Sequence, residues 1–122
     1  MDKKIILLRA NIQKDKSAIL QLRNHDEDKW KDNDLVTHVV PGDDIEWRID
    51  DNSIQSIGNV ASKRRVTIFS EKPNGPDSNG TWTARVSEVA APNVEEHYLI
   101  TYRDKNGNNH TIDPVIKVKI PD

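Results

Sequence analysis

Four histidines, His25, His38, His97 and His110, are the side chains best suited to hold a metal or move a proton at neutral pH. Two or three of them, joined by carboxylates, would bind Zn or Cu(II). No pair stands at a ligand-like local spacing, so they read as surface or strand-edge side chains. The acidic run Asp26, Glu27, Asp28, Asp32 and Asp34 offers the oxygen-rich setting that calcium favours. Lys29, Trp30 and Lys31 interrupt the alternation of oxygen ligands that a calcium loop needs, which makes a solvated acidic loop the simpler reading. Lys63-Arg64-Arg65 is a basic triplet, a weak phosphate patch with no interleaved aromatic on which bases would stack. The serines include no Gly-x-Ser-x-Gly elbow, and no glycine-rich phosphate loop is present. Among twenty acidic residues no spacing singles out a catalytic carboxylate pair.

Trp30 stands apart, because it sits among charges in a loop. Exposed loop aromatics anchor protein partners or sugars. The plainer alternative is that Trp30 folds over the open end of the domain as a plug.

Composition narrows the field further. The 122 residues suit one domain, 1–122. Eighteen basic against twenty acidic residues give a net charge of −2, which draws the chain neither to nucleic acid nor to an anionic membrane. Cysteine is absent, so disulfides, thiolate catalysis and cysteine-ligated metals are excluded. No stretch approaches the roughly 20 apolar residues of a membrane-spanning helix. The run Ile5, Ile6, Leu7, Leu8 is too short for a signal peptide and reads as a buried strand. The expected setting is cytoplasmic, or extracytoplasmic if a signal peptide was trimmed away.

Turn-forming clusters recur about every ten residues, the rhythm of an all-β sandwich or barrel. Residues 4–11 predict a central strand. Residues 17–23 predict a strand with Ala18, Leu20 and Leu22 on one face, although a short helix also suits them. Residues 25–34 form the acidic loop. Residues 37–40 predict a strand closed by the turn Pro41-Gly42-Asp43. Residues 44–50 alternate most cleanly, with Ile45, Trp47 and Ile49 on the dry face and Glu46, Arg48 and Asp50 on the wet one. Residues 53–60 are ambiguous, and 65–69 predict a strand. Residues 71–80 are dense in Pro and Gly and predict a long loop. Trp82, Ala84 and Val86 share a face of a strand at 81–86. Tyr98, Ile100 and Tyr102 share a face of another at 95–103. Asn106-Gly107 predicts a two-residue type I′ turn, which would set His110 opposite Arg103. The return strand spans 109–120, with Pro114 at a bulge or an edge. The sum is a two-sheet Greek-key sandwich of about eight strands, with Trp47 and Trp82 in its core.

One segment carries more than alternation. His38-Val39-Val40-Pro41-Gly42-Asp43-Asp44-Ile45-Glu46-Trp47 resembles the cupredoxin pattern, in which an apolar strand, a Gly-Asp turn and a Val/Ile-x-Trp/Phe strand follow one another. Gly80-Thr81-Trp82 and the strand at 98–102 look like the closing strands of such a domain, and Ile112-Asp113-Pro114-Val115-Ile116-Lys117-Val118 is similar to the Asp-Pro-containing last strand of some small bacterial cupredoxin-like domains. The resemblance covers most of residues 35–120 and implies a cupredoxin-like sandwich. Gly-Asp turns before a Trp strand also occur in immunoglobulin-like and fibronectin-like sandwiches, so those alternatives stay open. The family's copper chemistry does not transfer. A blue-copper site needs two His, one Cys thiolate and usually an axial Met. This chain has no Cys, its one Met is Met1, and Arg103, Asp104, Lys105 and Asn106 occupy the region where the ligands would cluster.

The expected function is therefore a non-catalytic binding module without a cofactor. It would present loops to a protein, a saccharide or another copy of itself, with Trp30 as the candidate contact. Gly42, Asp43, Asn106 and Gly107 are expected to shape turns. The alternative is a small enzyme or metal protein that assembles a site from scattered His, Asp and Glu.

Overall fold

The computed structural model describes residues 3–15, 18–31, 35–63 and 68–119. Among them are ten strands and no helix: β1 (Lys3–Ile12), β2 (Ala18–Asn24), β3 (Val36–Val39), β4 (Asp44–Ile49), β5 (Ile54–Ser62), β6 (Phe69–Asn74), β7 (Trp82–Val86), β8 (Glu95–Asp104), β9 (Asn109–Ile112) and β10 (Val115–Val118). One sheet has the order β2-β1-β4-β7-β6. The other has the order β3-β10-β8-β5, with β9 also paired to β8. Two pairings are parallel, β1 with β4 and β10 with β3. The others are antiparallel.

The alternating residues bury one face of each sheet against the other, as the period-2 pattern requires. Ile6 and Leu8 of β1, Leu20 and Leu22 of β2, and Ile45 and Trp47 of β4 are buried from one side. Ile57 and Val60 of β5, Tyr98, Ile100 and Tyr102 of β8, and Ile116 and Val118 of β10 meet them from the other. Trp47 is opposite Trp82 in the β4–β7 ladder. Both indoles reach across the core: Trp47 Nε1 donates to the Tyr98 hydroxyl at 3.1 Å, and Trp82 Nε1 donates to the Ile57 carbonyl at 2.9 Å. A buried indole N–H needs such an acceptor.

Residues 44–49, 82–86 and 95–104 run as strands close to the expected boundaries. Residues 18–24 are extended rather than helical. The number of strands is ten, not about eight. The ambiguous 53–60 segment is β5, whose register slips twice against β8, and those slips break the alternation a reader would look for. The expected 109–120 strand is two, β9 and β10.

Pro114 makes no bulge between them. Ile112 is opposite Ile100 and Val115 is opposite His97, so the pairing against β8 keeps one register across the gap. Proline removes a donor from the ladder without inserting a residue. Of the expected 65–69 strand, residues 65–67 lie outside the described residues, and Phe69 opens β6. The expected loop at 71–80 is therefore too long, because β6 continues through Pro73 to Asn74. Among the described residues β6 is an edge strand paired only with β7, and an edge position tolerates a missing N–H.

The Pro41-Gly42-Asp43 turn falls where expected. Gly42 has φ of 90°, the Asp43 carboxylate accepts from the Val40 N–H at 2.9 Å, and the Val86 N–H donates to the Asp43 carbonyl at 2.8 Å. The turn after β8 is not type I′, which requires positive φ at both central residues. Gly107 has φ of 87°, and Asn106 does not take a positive value. The loop holds three residues, 105–107, in the arrangement in which a turn is followed by one left-handed glycine. The Asp104 carboxylate accepts from the N–H groups of Asn106 (2.8 Å) and Asn108 (3.1 Å), which favours that loop over the tighter one. The extra residue moves His110 opposite Tyr102 instead of Arg103.

Candidate functional site

The fold does not gather the four histidines. His25 and His38 line one polar cleft of about 220 Å³, with Lys3, Lys4, Glu27 and Lys119 around them. Burial, helped by Lys119 and Lys117 and opposed by Glu27, lowers the pKa of His38. His97 lies on β8, 4.0 Å from Glu95. His110 is on β9. Among the described residues no group of three or more His, Asp or Glu side chains is placed to hold a metal ion. Within the acidic loop, the carbonyls of His25 and Glu27 are engaged by the Arg23 guanidinium at 3.4 and 2.6 Å. The Glu27 carboxylate accepts from the Asn24 amide at 2.6 Å. Asp32 and Asp34 lie outside the described residues, as do Arg64 and Arg65. Lys63 pairs with Asp113 at 3.0 Å on the surface.

Trp30 does not cap the open end of the sandwich. It lies on the outer face of the first sheet, because the two side chains that touch it point outward. Arg9, whose β1 neighbours Leu8 and Ala10 are buried, sets its guanidinium carbon 4.0 Å from the indole centroid. Arg23, between buried Leu22 and Asn24 on β2, stands 5.3 Å away. The segment is fixed there by backbone bonds: Leu22 N–H to the Lys31 carbonyl at 2.6 Å, and Lys31 N–H to the Leu22 carbonyl at 2.8 Å. Arg9 Nε also donates to Gln21 Oε1 at 2.8 Å. Ile19, 41% exposed, continues this face along β2.

The second arrangement is a carboxylate–histidine pair. Asp104 is fully buried at the end of β8, and its Oδ2 is 2.8 Å from His110 Nε2. The hydrogen bond to His110 holds the Asp104 carboxyl below the usual carboxylate range. Burial opposes this, and the N–H groups of Asn108 and Asn106 add to it. The His110 ring stacks on Tyr102, 5.0 Å between centroids and 24° between planes. Burial, and then the nearby Asp104 charge, push the Tyr102 hydroxyl up to about 12. A carboxylate that orients an imidazole fixes its tautomer.

Neither Asp104 nor Glu96, the other buried carboxylate of β8, stood out in the sequence, yet a signal was present. Both share the parity of Tyr98, Ile100 and Tyr102, which places them on the buried face. Glu96 there accepts from the Ile68 N–H at 3.0 Å and the Ser62 hydroxyl at 2.9 Å.

Trp47 and Trp82 sit in the core, Gly42 and Asp43 in the turn before β4, and Asn106 and Gly107 in the β8–β9 loop. No helix among the described residues is long and apolar enough to cross a membrane. No protein-family model matches this chain, and no curated protein matches it.

Proposed function

We propose that this domain is a non-catalytic interaction module, a cupredoxin-like sandwich without type 1 copper, that binds through the outer face of β1 and β2. The observation that carries this reading is the indole of Trp30 held at the surface against the guanidinium of Arg9. Trp and Arg are the residue types that dominate binding energy at interfaces. An aromatic already fixed before the partner arrives loses little entropy on binding. Arg9, together with exposed Ile19, suits a protein partner that presents carboxylates beside an apolar group. The parallel pairings of β1 with β4 and of β10 with β3 support the cupredoxin-like alternative, because immunoglobulin-like sandwiches are built from antiparallel sheets.

The test is titration with a hexaglutamate peptide, followed at the indole N–H resonance of Trp30. A saturable shift, lost in Arg9→Gln and absent with hexalysine, is expected. A Trp30 resonance that does not respond overturns the reading. A response to an acidic oligogalacturonate alone would reassign the partner to saccharides.

The second reading, a small enzyme or metal protein, has one observation in its favour, the 2.8 Å Asp104–His110 pair. Elemental mass spectrometry of the purified protein separates the two. A stoichiometric transition metal would remove the first.

A further inference from the structure

We propose that the cleft between β2 and β9 binds a small, flat, uncharged molecule that carries one hydroxyl on a mostly apolar ring, a ligand of the phenol class. The cleft opens where the two sheets part. Among the described residues β2 is an edge of the first sheet, and β9 pairs with β8 alone. Ala18 and Leu20 form one wall and Ile112 the other, with the stacked rings of Tyr102 and His110 between them. Its volume is about 330 Å³. A single aromatic ring needs less, since an apolar cavity of about 150 Å³ accepts benzene.

The lining mixes polar and apolar surface, with Thr111 beside the two rings, and two of its polar side chains, Tyr102 and His110, define the ligand. Tyr102 is 1% exposed, and its hydroxyl has no hydrogen-bond partner among the described residues. That hydroxyl is not one of the fully buried polar atoms that lack a partner, so it reaches the cleft, where an occupant's hydroxyl can pair with it. His110 is the second group. The Asp104 carboxylate accepts two backbone N–H bonds on Oδ1 and faces His110 Nε2 with Oδ2, so the neutral imidazole keeps its proton on Nε2. Nδ1 then offers a lone pair to a donor such as a phenolic O–H.

Charge selects against the other classes. Among the described residues the cleft is lined by no Lys or Arg, and the Asp104 carboxylate lies directly behind the imidazole, which disfavours an anion. A metal ion would find a single ring nitrogen.

The experiment is titration of the full chain with phenol and, separately, with toluene, followed by backbone amide resonances. Phenol should shift Leu20, His110 and Ile112 saturably and bind about tenfold more tightly than toluene, the worth of one hydrogen bond. Tyr102→Phe should narrow the preference for phenol over toluene, since only His110 Nδ1 then meets the phenolic hydroxyl. Because it breaks no bond within the protein, its unfolding midpoint should match that of the wild type. Ile112→Phe, which fills the cleft, should abolish the shifts. Phenol and toluene binding equally to the wild type, shifts outside these residues only, or undiminished phenol binding by both variants would each overturn the proposal.

Discussion

The indole N–H of Trp47, on one sheet, donates to the hydroxyl of Tyr98, on the other, across 3.1 Å of core with the rings 5.6 Å apart. Both residues are fully buried, and burial pushes the Tyr98 hydroxyl pKa far above its ordinary value. Tyr98→Phe would keep the packing and orphan the donor, so it should cost about 1–3 kcal/mol. Trp47→Ala removes the packing as well and should cost about 3–5 kcal/mol. Urea unfolding of the two variants measures both. Equal losses would mean that the hydrogen bond, not the ring, holds the sheets together.

Two glycines should respond differently to alanine. At Gly107 a Cβ meets nothing within 4 Å, but φ is 87°, so Gly107→Ala should cost about 1–2 kcal/mol through backbone conformation alone. At Gly75 a Cβ would stand 2.8 Å from the Trp82 ring. Gly75→Ala should cost about 1–3 kcal/mol by overpacking and should change the tryptophan fluorescence, which Gly107→Ala should leave alone. Denaturation followed by fluorescence reads both effects in one experiment.

Asp104 gives the domain a predictable acid limb. Its carboxyl is held low in the folded state by the hydrogen bond to His110, with the Asn108 and Asn106 N–H groups assisting. A depressed folded pKa contributes stability above the unfolded carboxyl value of about 3.9, and that contribution is lost as pH falls through the folded pKa. Asp51, lowered chiefly by its hydrogen bond from Ser53, titrates in the same direction. Urea midpoints measured from pH 7 downward should therefore fall below about pH 4. In Asp104→Asn the midpoint should be lower at neutral pH and should fall less steeply in acid.

Ser53 offers a fourth test, because its hydroxyl accepts from the Ala10 N–H at 2.8 Å and ties β1 to the segment before β5. Ser53→Ala leaves that N–H without its acceptor and should cost about 1–2 kcal/mol. Amide hydrogen exchange at Ala10 should quicken in the variant. Unchanged exchange would show that another acceptor replaces the hydroxyl.

Most of the sandwich was legible where alternation was strict. Ile45 and Trp47, Trp82 through Val86, and Tyr98 through Tyr102 fall on one face each, and two-faced strands of this kind write their burial directly into the sequence. β5 was not legible, because its slips against β8 leave Ile54, Ile57 and Val60 three residues apart. β6 was hidden because Pro73 is tolerated at an edge, and the sequence does not mark which strands are edges. The β8–β9 loop shows the limit of dipeptide rules: Asn106-Gly107 suits two turn types, and the upstream Asp104 carboxylate favours the longer one. The candidate surfaces were the least legible part. Trp30 was conspicuous, but Arg9 and Arg23 are 21 and 7 positions away by residue number, and only the β1–β2 pairing brings them together.

The unbroken register across Asp113-Pro114 sets a rule for how this chain can change in length. β9 and β10 face the same partner strand on either side of that step, so the number of residues between them fixes which side chains of β10 point inward. One residue more or fewer there would turn Ile116 and Val118 toward solvent and Lys117 into the core. Insertions that a surface loop absorbs freely are thus barred at a site that looks, from its Asp-Pro, like an ordinary connection. Relatives that diverge in length should do so at the β8–β9 loop or between β6 and β7, and should keep this interval to the residue.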